Sequence, residues 1–190
     1  MIQFRAKKKG VEVNGETVLS VVAGMRLMAK EVLSRNGIEN PSPGAWYSQQ
    51  DWLNAFGEIS EKIGRTTLRM IGKKIPENAN WPEGIDSEEK ALPSIDVAYH
   101  MNHRIDGELM YNASSGEMKE GIGHYGFEKL PEAGRYKMVC DNPYPCDFDM
   151  GIIESTARKF SESAYIKVEH EEGSSCRNQG AQSCTYIVTV

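Results

Sequence analysis

The residues best able to do chemistry in this chain are crowded into its last third. All four cysteines, Cys140, Cys146, Cys176 and Cys184, lie there, and one of four histidines, His170, lies among them in "EHEEGSSCRNQGAQSCTY", residues 169–186. Thiolate and imidazole are donors that zinc favours, and a structural zinc takes four in a tetrahedron. The spacing is not the tight CxxC…CxxC of a zinc ribbon. The other readings are a disulfide pair, a nucleophile, an iron–sulfur cluster drawing on all four cysteines, or free cysteines serving as small buried apolar residues. A nucleophilic Cys140 or Cys146 needs a base such as His100 beside it. Nothing in the sequence demands that pairing, so no catalytic residue is assigned.

Further candidates lie upstream. "AYHMNHR" sets His100 and His103 three residues apart, on one face if helical, where they hold a metal, line a polar pocket or sit capped at the surface. His124 in "GHYGF" is a haem or ligand contact or, more plainly, a strand-edge histidine. Asp147 and Asp149 read as charges at a helix N-terminus rather than an acid pair. Trp46, Tyr47, Trp52 and Trp81 wall a pocket or fill a core. There is no P-loop and no GxGxxG.

Totals narrow the class. A chain of 190 residues hides roughly 70% of its unfolded surface without staples. A net charge of −5 argues against nucleic-acid binding as the main task. "AKKKG" reads as a solvated turn. No stretch is apolar enough for a membrane span, and "MIQFRAKKKG" lacks the apolar region of a signal peptide. A cytoplasmic protein is expected, where thiols stay reduced and disulfides are disfavoured.

The elements that must position these residues follow from periodicity. "IQFRA" and "VEVNG" suggest a small hairpin around the Lys/Gly turn. Apolar residues at 18, 21, 22, 25, 28 and 32 predict a long helix that stops at Asn36-Gly37. Trp52, Phe56, Ile59 and Ile63 predict a second, starting near Ser48 or Asp51 and broken by Gly64. "RTTLRMIGKKI" reads as a further turn or short helix. "DSEEKALPSIDVAYHMNHR" predicts a helix capped by Asp86 or Ser87, kinked or restarted at Pro93. "GELMYNAS", "GIGHYGFEKL" and "GRYKMVC" read as strands, "CDFDMGIIESTARKF" as an inserted helix, and "AYIKVEH" and "CTYIVTV" as closing strands. The fold class is α+β: N-terminal helices packed on a mostly antiparallel sheet with one inserted helix. Residues 1–190 are expected to form one such domain, with a helical part over about 1–104. A boundary near residues 80–90 is the other division.

"CRNQGAQSCTY" resembles the C-terminal motif of the vinyl-4-reductase-type ligand-binding domain, with two cysteines around a glycine and an aromatic two residues past the second: Cys176, Gly180, Cys184 and Tyr186. The helix "CDFDMGIIESTARKF", opening on a cysteine, resembles that domain too. The likeness covers about 130–190 well and the region before it loosely; the vinyl-4-reductase-like part is taken as about 105–190. It implies kinship with haem–nitric oxide sensor domains and with subunits of vesicle-tethering complexes. It also implies a sensor role like that of bacterial regulators that detect phenols, and a structural zinc held by three cysteines and a glutamate. The cysteines carried over are Cys146, Cys176 and Cys184. The sensors' glutamate position is Gly173 here, so His170 is expected as fourth ligand, with Glu169 and Cys140 as alternatives; imidazole competes well with carboxylate for zinc. The Tyr-x-Ser-x-Arg motif of the haem sensors is absent.

The expected function is a small-molecule-binding or sensor domain for a hydrophobic ligand. The alternative is an enzyme acting on a tetrapyrrole or similar substrate. The ligand pocket is expected between the helices of 48–104 and the strands of 107–140, lined by Trp52, Phe56, Tyr99 and Tyr111, with His100 or His103 as polar handle. The first long helix carries apolar surface in excess of one packed face, which predicts a homodimer. No output domain is read in these 190 residues, so a sensor is expected to act through a separate output protein.

Overall fold

The computed structural model describes residues 3–25 and 27–190. Strand β1 (Val11–Asn14) leads into helices α1 (Gly15–Met25) and α2 (Leu27–Arg35). β2 (Trp46–Ser48) runs directly into α3 (Gln49–Lys62), followed by α4 (Arg65–Asn78) and α5 (Glu88–Met101). Short strands β3 (His103–Ile105), β4 (Glu108–Leu109), β5 (Tyr111–Asn112) and β6 (Glu117–Met118) precede the longer β7 (Tyr125–Lys129) and β8 (Arg135–Cys140). Helix α6 (Cys146–Phe160) is inserted before β9 (Lys167–His170) and β10 (Cys184–Thr189). Helices come first and antiparallel strands later, so the class is α+β.

Two local expectations need correction. The stretch "VEVNG" does not pair with the chain start. β1 instead sits inside a sheet of order β2-β1-β3-β4, with Val13 opposite Tyr47 on one side and His103 on the other. Val11 and Val13 are buried there, and burial of two branched side chains outweighs the local turn signal. Pro93 does not restart α5, which runs through it. The carbonyl left without its N–H partner belongs to Glu89, whose side chain is exposed. "RTTLRMIGKKI" becomes a full helix of 14 residues. In the first helical region Val18 and Val32 are buried and Met28 is exposed. The side chains at 21 and 22, on which the pairing expectation leans, lie outside the described residues.

The sheet that carries the cysteines has the order β7-β8-β10-β9, antiparallel throughout. In its inner strand β10, Cys184, Tyr186 and Val188 alternate onto one buried face. Helix α6 is buried along most of its length, and α4 packs against it at close range. A Cβ at Gly72 would collide with the carbonyl of Phe148, and one at Gly151 with the carbonyl of Arg69. Two interior glycines thus let the helix backbones touch, and Glu154 of α6 pairs with Arg69 and Lys73 of α4 at 2.8 and 2.7 Å. That seat fixes where Cys146, the first residue of α6, points.

Candidate metal centre and ligand cavity

Cys146, His170, Cys176 and Cys184 converge. One donor atom from each lies within 4.8 Å of all the others. The sulfur separations are 3.1 Å for Cys146–Cys184, 3.4 Å for Cys146–Cys176 and 3.6 Å for Cys176–Cys184, and His170 Nε2 stands 3.5 Å from Cys176 Sγ. These are not disulfides, whose sulfurs sit about 2.05 Å apart. All three are shorter than the edge of a tetrahedron of Zn–S bonds of about 2.3 Å, which is roughly 3.8 Å, so the sulfurs would spread a little to take an ion. Three elements and a loop build the group: the start of α6, the end of β9, the loop before a 3-10 turn at Arg177–Gln179, and the start of β10. Antiparallel pairing sets His170 opposite Tyr186, two residues past Cys184.

Alternation along β9 settles the direction of two neighbours. His170 turns inward, its ring centroid 4.8 Å from that of Tyr186. Glu169 turns outward to Lys167 at 2.7 Å. Cys140, opposite Cys184 in the sheet, is fully buried but outside the convergent group, and burial raises its thiol pKa well above the ordinary range. The Cys184 sulfur is favoured as thiolate. The Cys146 thiol donates to it, and so do both the backbone N–H and Nε of Arg177, at 3.3 and 3.4 Å for the latter two.

Several supporting residues carried no signal in the sequence. Arg177 is fully buried and pairs with Asp149, which in turn accepts a hydrogen bond from Tyr125 Oη at 2.6 Å. Arg177 also donates to Asn142. Burial pushes Asp149 up to about 6, with the Arg177 charge opposing. Asp149 stands in the first turn of α6 as expected and is in addition a buried ion-pair partner. Gln3 is buried and donates to Cys146 Sγ at 2.6 Å. Only residue order in space, not spacing in sequence, brings these groups together.

A second feature is a mostly apolar cavity of about 190 Å³ between the C-terminal half of α4, the 79–82 loop, α5 and α6. Tyr99 and His103 line it, with Ile95, Trp81, Phe148 and Ile152. Trp52, Phe56, Tyr111 and His100 are not among its lining residues. Trp52 and Phe56 pack on each other in the core at 4.7 Å between centroids, Tyr111 lies on β5, and His100 stacks on His124. His103 Nδ1–H donates to the Tyr99 carbonyl at 2.7 Å, which leaves Nε2 to accept from Tyr144 Oη at 2.8 Å. Burial lowers His103 to about 4, so the ring is neutral. Thr156 Oγ1, on the α6 side, is buried with no hydrogen-bond partner.

No family model matches the chain, the vinyl-4-reductase type included, and no curated protein sequence does. Solved structures do match, H-NOX proteins among them. A crystal structure of an H-NOX protein from S. oneidensis in the Fe(II)NO ligation state shares 14% identity over 92% of this chain and 97% of that one, with a TM-score of 0.63. An oxygen-binding H-NOX domain related to soluble guanylate cyclases shares 18% identity over 92% and 91%, with a TM-score of 0.61. A structure from a study of haem distortion in the H-NOX family shares 17% over 92% and 91%, at 0.62. The chain therefore has the H-NOX fold.

Whether its residues fit a haem is a separate question, and the cavity as it stands does not. Its volume is near the roughly 150 Å³ that admits one benzene, and below the roughly 300–1,000 Å³ usual for larger ligands. Four linked pyrroles exceed it. No arginine or lysine lines it to meet propionates, and both nitrogens of His103 are already engaged.

Proposed function

We propose that this chain is a small-molecule-binding domain of the sensor type, made rigid at one corner by a structural zinc. The cavity carries the reading. Its walls are apolar, its size suits a single ring, and the Thr156 hydroxyl waits in it without a partner. Pockets for small ligands combine apolar walls with a few placed polar groups of this kind. The ligand class is a hydrophobic molecule of about one aromatic ring carrying one hydrogen-bonding group for Thr156. The chain's own residues then orient the ligand and exclude water. The neutral His103–Tyr144 pair keeps one end of the pocket uncharged.

Zinc in this reading is held by Cys146, His170, Cys176 and Cys184. Four protein donors leave no open position, so the ion does no chemistry. The donor set and the motif around Cys176 and Cys184 support a vinyl-4-reductase-like kinship within the haem-sensor fold. A tetrapyrrole enzyme is disfavoured by the cavity volume. The reading treats residues 1–190 as one domain in a reducing compartment, paired as a homodimer and acting through a separate output protein. Light scattering that gives a monomer mass at tens of micromolar refutes the pairing.

The test of the cavity is a titration with phenol, p-cresol and toluene, followed by tryptophan fluorescence and by the melting midpoint. Binding to the folded state raises that midpoint as ligand exceeds Kd. We expect the phenols to outbind toluene and Ile152→Phe, which fills the space, to abolish the effect while still melting cooperatively. No response to any single-ring probe, or an unchanged response in Ile152→Phe, overturns the reading.

A further inference from the structure

We infer that Asp96, His100 and His124 form a second, open metal site for a divalent first-row transition ion. This site is independent of the cavity and of the cysteine cluster. One nitrogen from each ring and one carboxylate oxygen of Asp96 lie within 4.8 Å of one another. Asp96 and His100 are four apart on α5, so one helix face presents both. His124 arrives from the segment before β7, and its ring lies against that of His100 at 4.8 Å between centroids, tilted by 33°.

The three side chains are hydrogen-bonded among themselves, and His100 Nδ1 also stands 3.5 Å from Asp96 Oδ1. His124 Nδ1 is 2.9 Å from Asp96 Oδ2, and His124 Nε2 is 3.2 Å from Glu120 Oε2. His100 Nδ1–H donates to its own-helix carbonyl at Asp96, 2.8 Å away. The other nitrogen of His100, Nε2, is buried with no hydrogen-bond partner, and the side chain is 0% exposed. An orphaned basic nitrogen in a buried ring costs free energy unless something binds it. Metal-bound histidines characteristically pass their other N–H to a carboxylate or a backbone carbonyl, and both kinds of outer partner are in place here. The Tyr125 N–H donates to Asp96 Oδ1 at 2.9 Å and fixes the carboxylate.

Donor type selects the ion. Two imidazoles and a carboxylate suit zinc, iron(II) or cobalt(II) and do not suit magnesium or calcium, which take all-oxygen shells. Three protein ligands leave at least one position for water or a small exogenous ligand. The site is reachable: the His124 side chain is 32% exposed and that of Asp96 14%. Glu120, 85% exposed, is close enough to serve as the outer partner of His124.

The experiment uses the full chain with its thiols reduced. The protein is loaded with one equivalent of Zn²⁺ and then titrated with Co²⁺, read by calorimetry and by visible absorption. We expect a second equivalent to bind with weak d–d bands and no sulfur-to-cobalt charge-transfer band. His124→Ala should weaken that step about 100-fold or more, and Glu120→Gln about tenfold, as loss of an outer-shell partner does. If His124→Ala does not fold by circular dichroism, Asp96→Asn and Glu120→Gln decide. The inference falls if the zinc-loaded chain binds no further ion. It also falls if the folded variants bind it as tightly as the parent chain.

Discussion

The thiol cluster and the Asp96–His100–His124 cluster use the same chain in opposite ways. The first draws three soft donors and one imidazole from four points at a helix–strand corner, with Cys146 and Cys184 fully buried. A buried Arg177 and Gln3 close it from outside. The second draws imidazole and carboxylate from one helix face and one adjoining segment, with a half-open rim. On the two proposals above, donor softness and burial together separate an ion that holds a fold from one that can exchange. The cavity lies between these extremes, joined to the thiol cluster by Tyr125, which lines it, through Asp149 and Arg177 to Cys184.

The largest effect expected is at the thiol cluster. Cys184→Ser or Cys176→Ser should remove stability on the order of 10 kcal/mol under zinc-replete conditions, comparable with that of a whole domain. Cys140→Ala, in the next strand but outside the cluster, should cost only about 1–2 kcal/mol. Denaturant unfolding with elemental analysis measures both. Equal losses for Cys140 and Cys184 would break the distinction between ligand and core thiol.

Next comes the seat of α6. Gly72→Ala drives a methyl into the Phe148 carbonyl, backbone that cannot swing aside. A cost of about 3 kcal/mol or more is expected. Since α6 aims Cys146, the variant should also weaken metal retention. A Gly72→Ala chain as stable as its parent would show that the helices do not touch as described.

These two substitutions also show what could be read in advance and what could not. Cys146, Cys176 and Cys184 were legible through the motif they share with the vinyl-4-reductase type, with His170 in place of its glutamate, and the four converge in space. The α+β order was legible from the switch of period from helix to strand. Arg177 was not, because an arginine in a polar loop reads as solvated, and only the fold buries it against Asp149. Nor was the pairing of β1 with β2 and β3, whose partners stand far away in sequence. Asp96 and His100 sit at helical spacing, yet the third member, His124, is 24 residues beyond His100 and joins them only once β7 is in place.

His103 gives a smaller, pH-dependent contrast with the half-buried His124. Its folded pKa, about 4, lies below the ordinary 6.5. The unfolded chain therefore binds more protons between these values, so stability is full above pH 6.5 and is lost as pH falls toward 4. At 1.36 kcal/mol per unit the loss is about 3 kcal/mol. His103→Gln can donate to the Tyr99 carbonyl and accept from Tyr144, and it should flatten this part of the pH profile. Identical melting-midpoint profiles for the two proteins from pH 4 to 7 would sink the assignment.

The smallest effect expected is at Glu169, and it bears on the thiol cluster most finely. Glu169 and His170 are adjacent, and either has a chemically acceptable donor for zinc. Strand alternation sends them to opposite faces, and Glu169 is half exposed in a pair with Lys167. An exposed pair of that kind is worth little. Glu169→Ala should therefore change stability by no more than about 0.5 kcal/mol and leave the metal content of the purified chain unchanged. His170→Ala, one residue on, should open the tetrahedron to water and make the ion removable by a mild chelator. A Glu169→Ala chain that loses its ion while His170→Ala keeps it would reverse the faces of β9 and, with them, the fourth ligand.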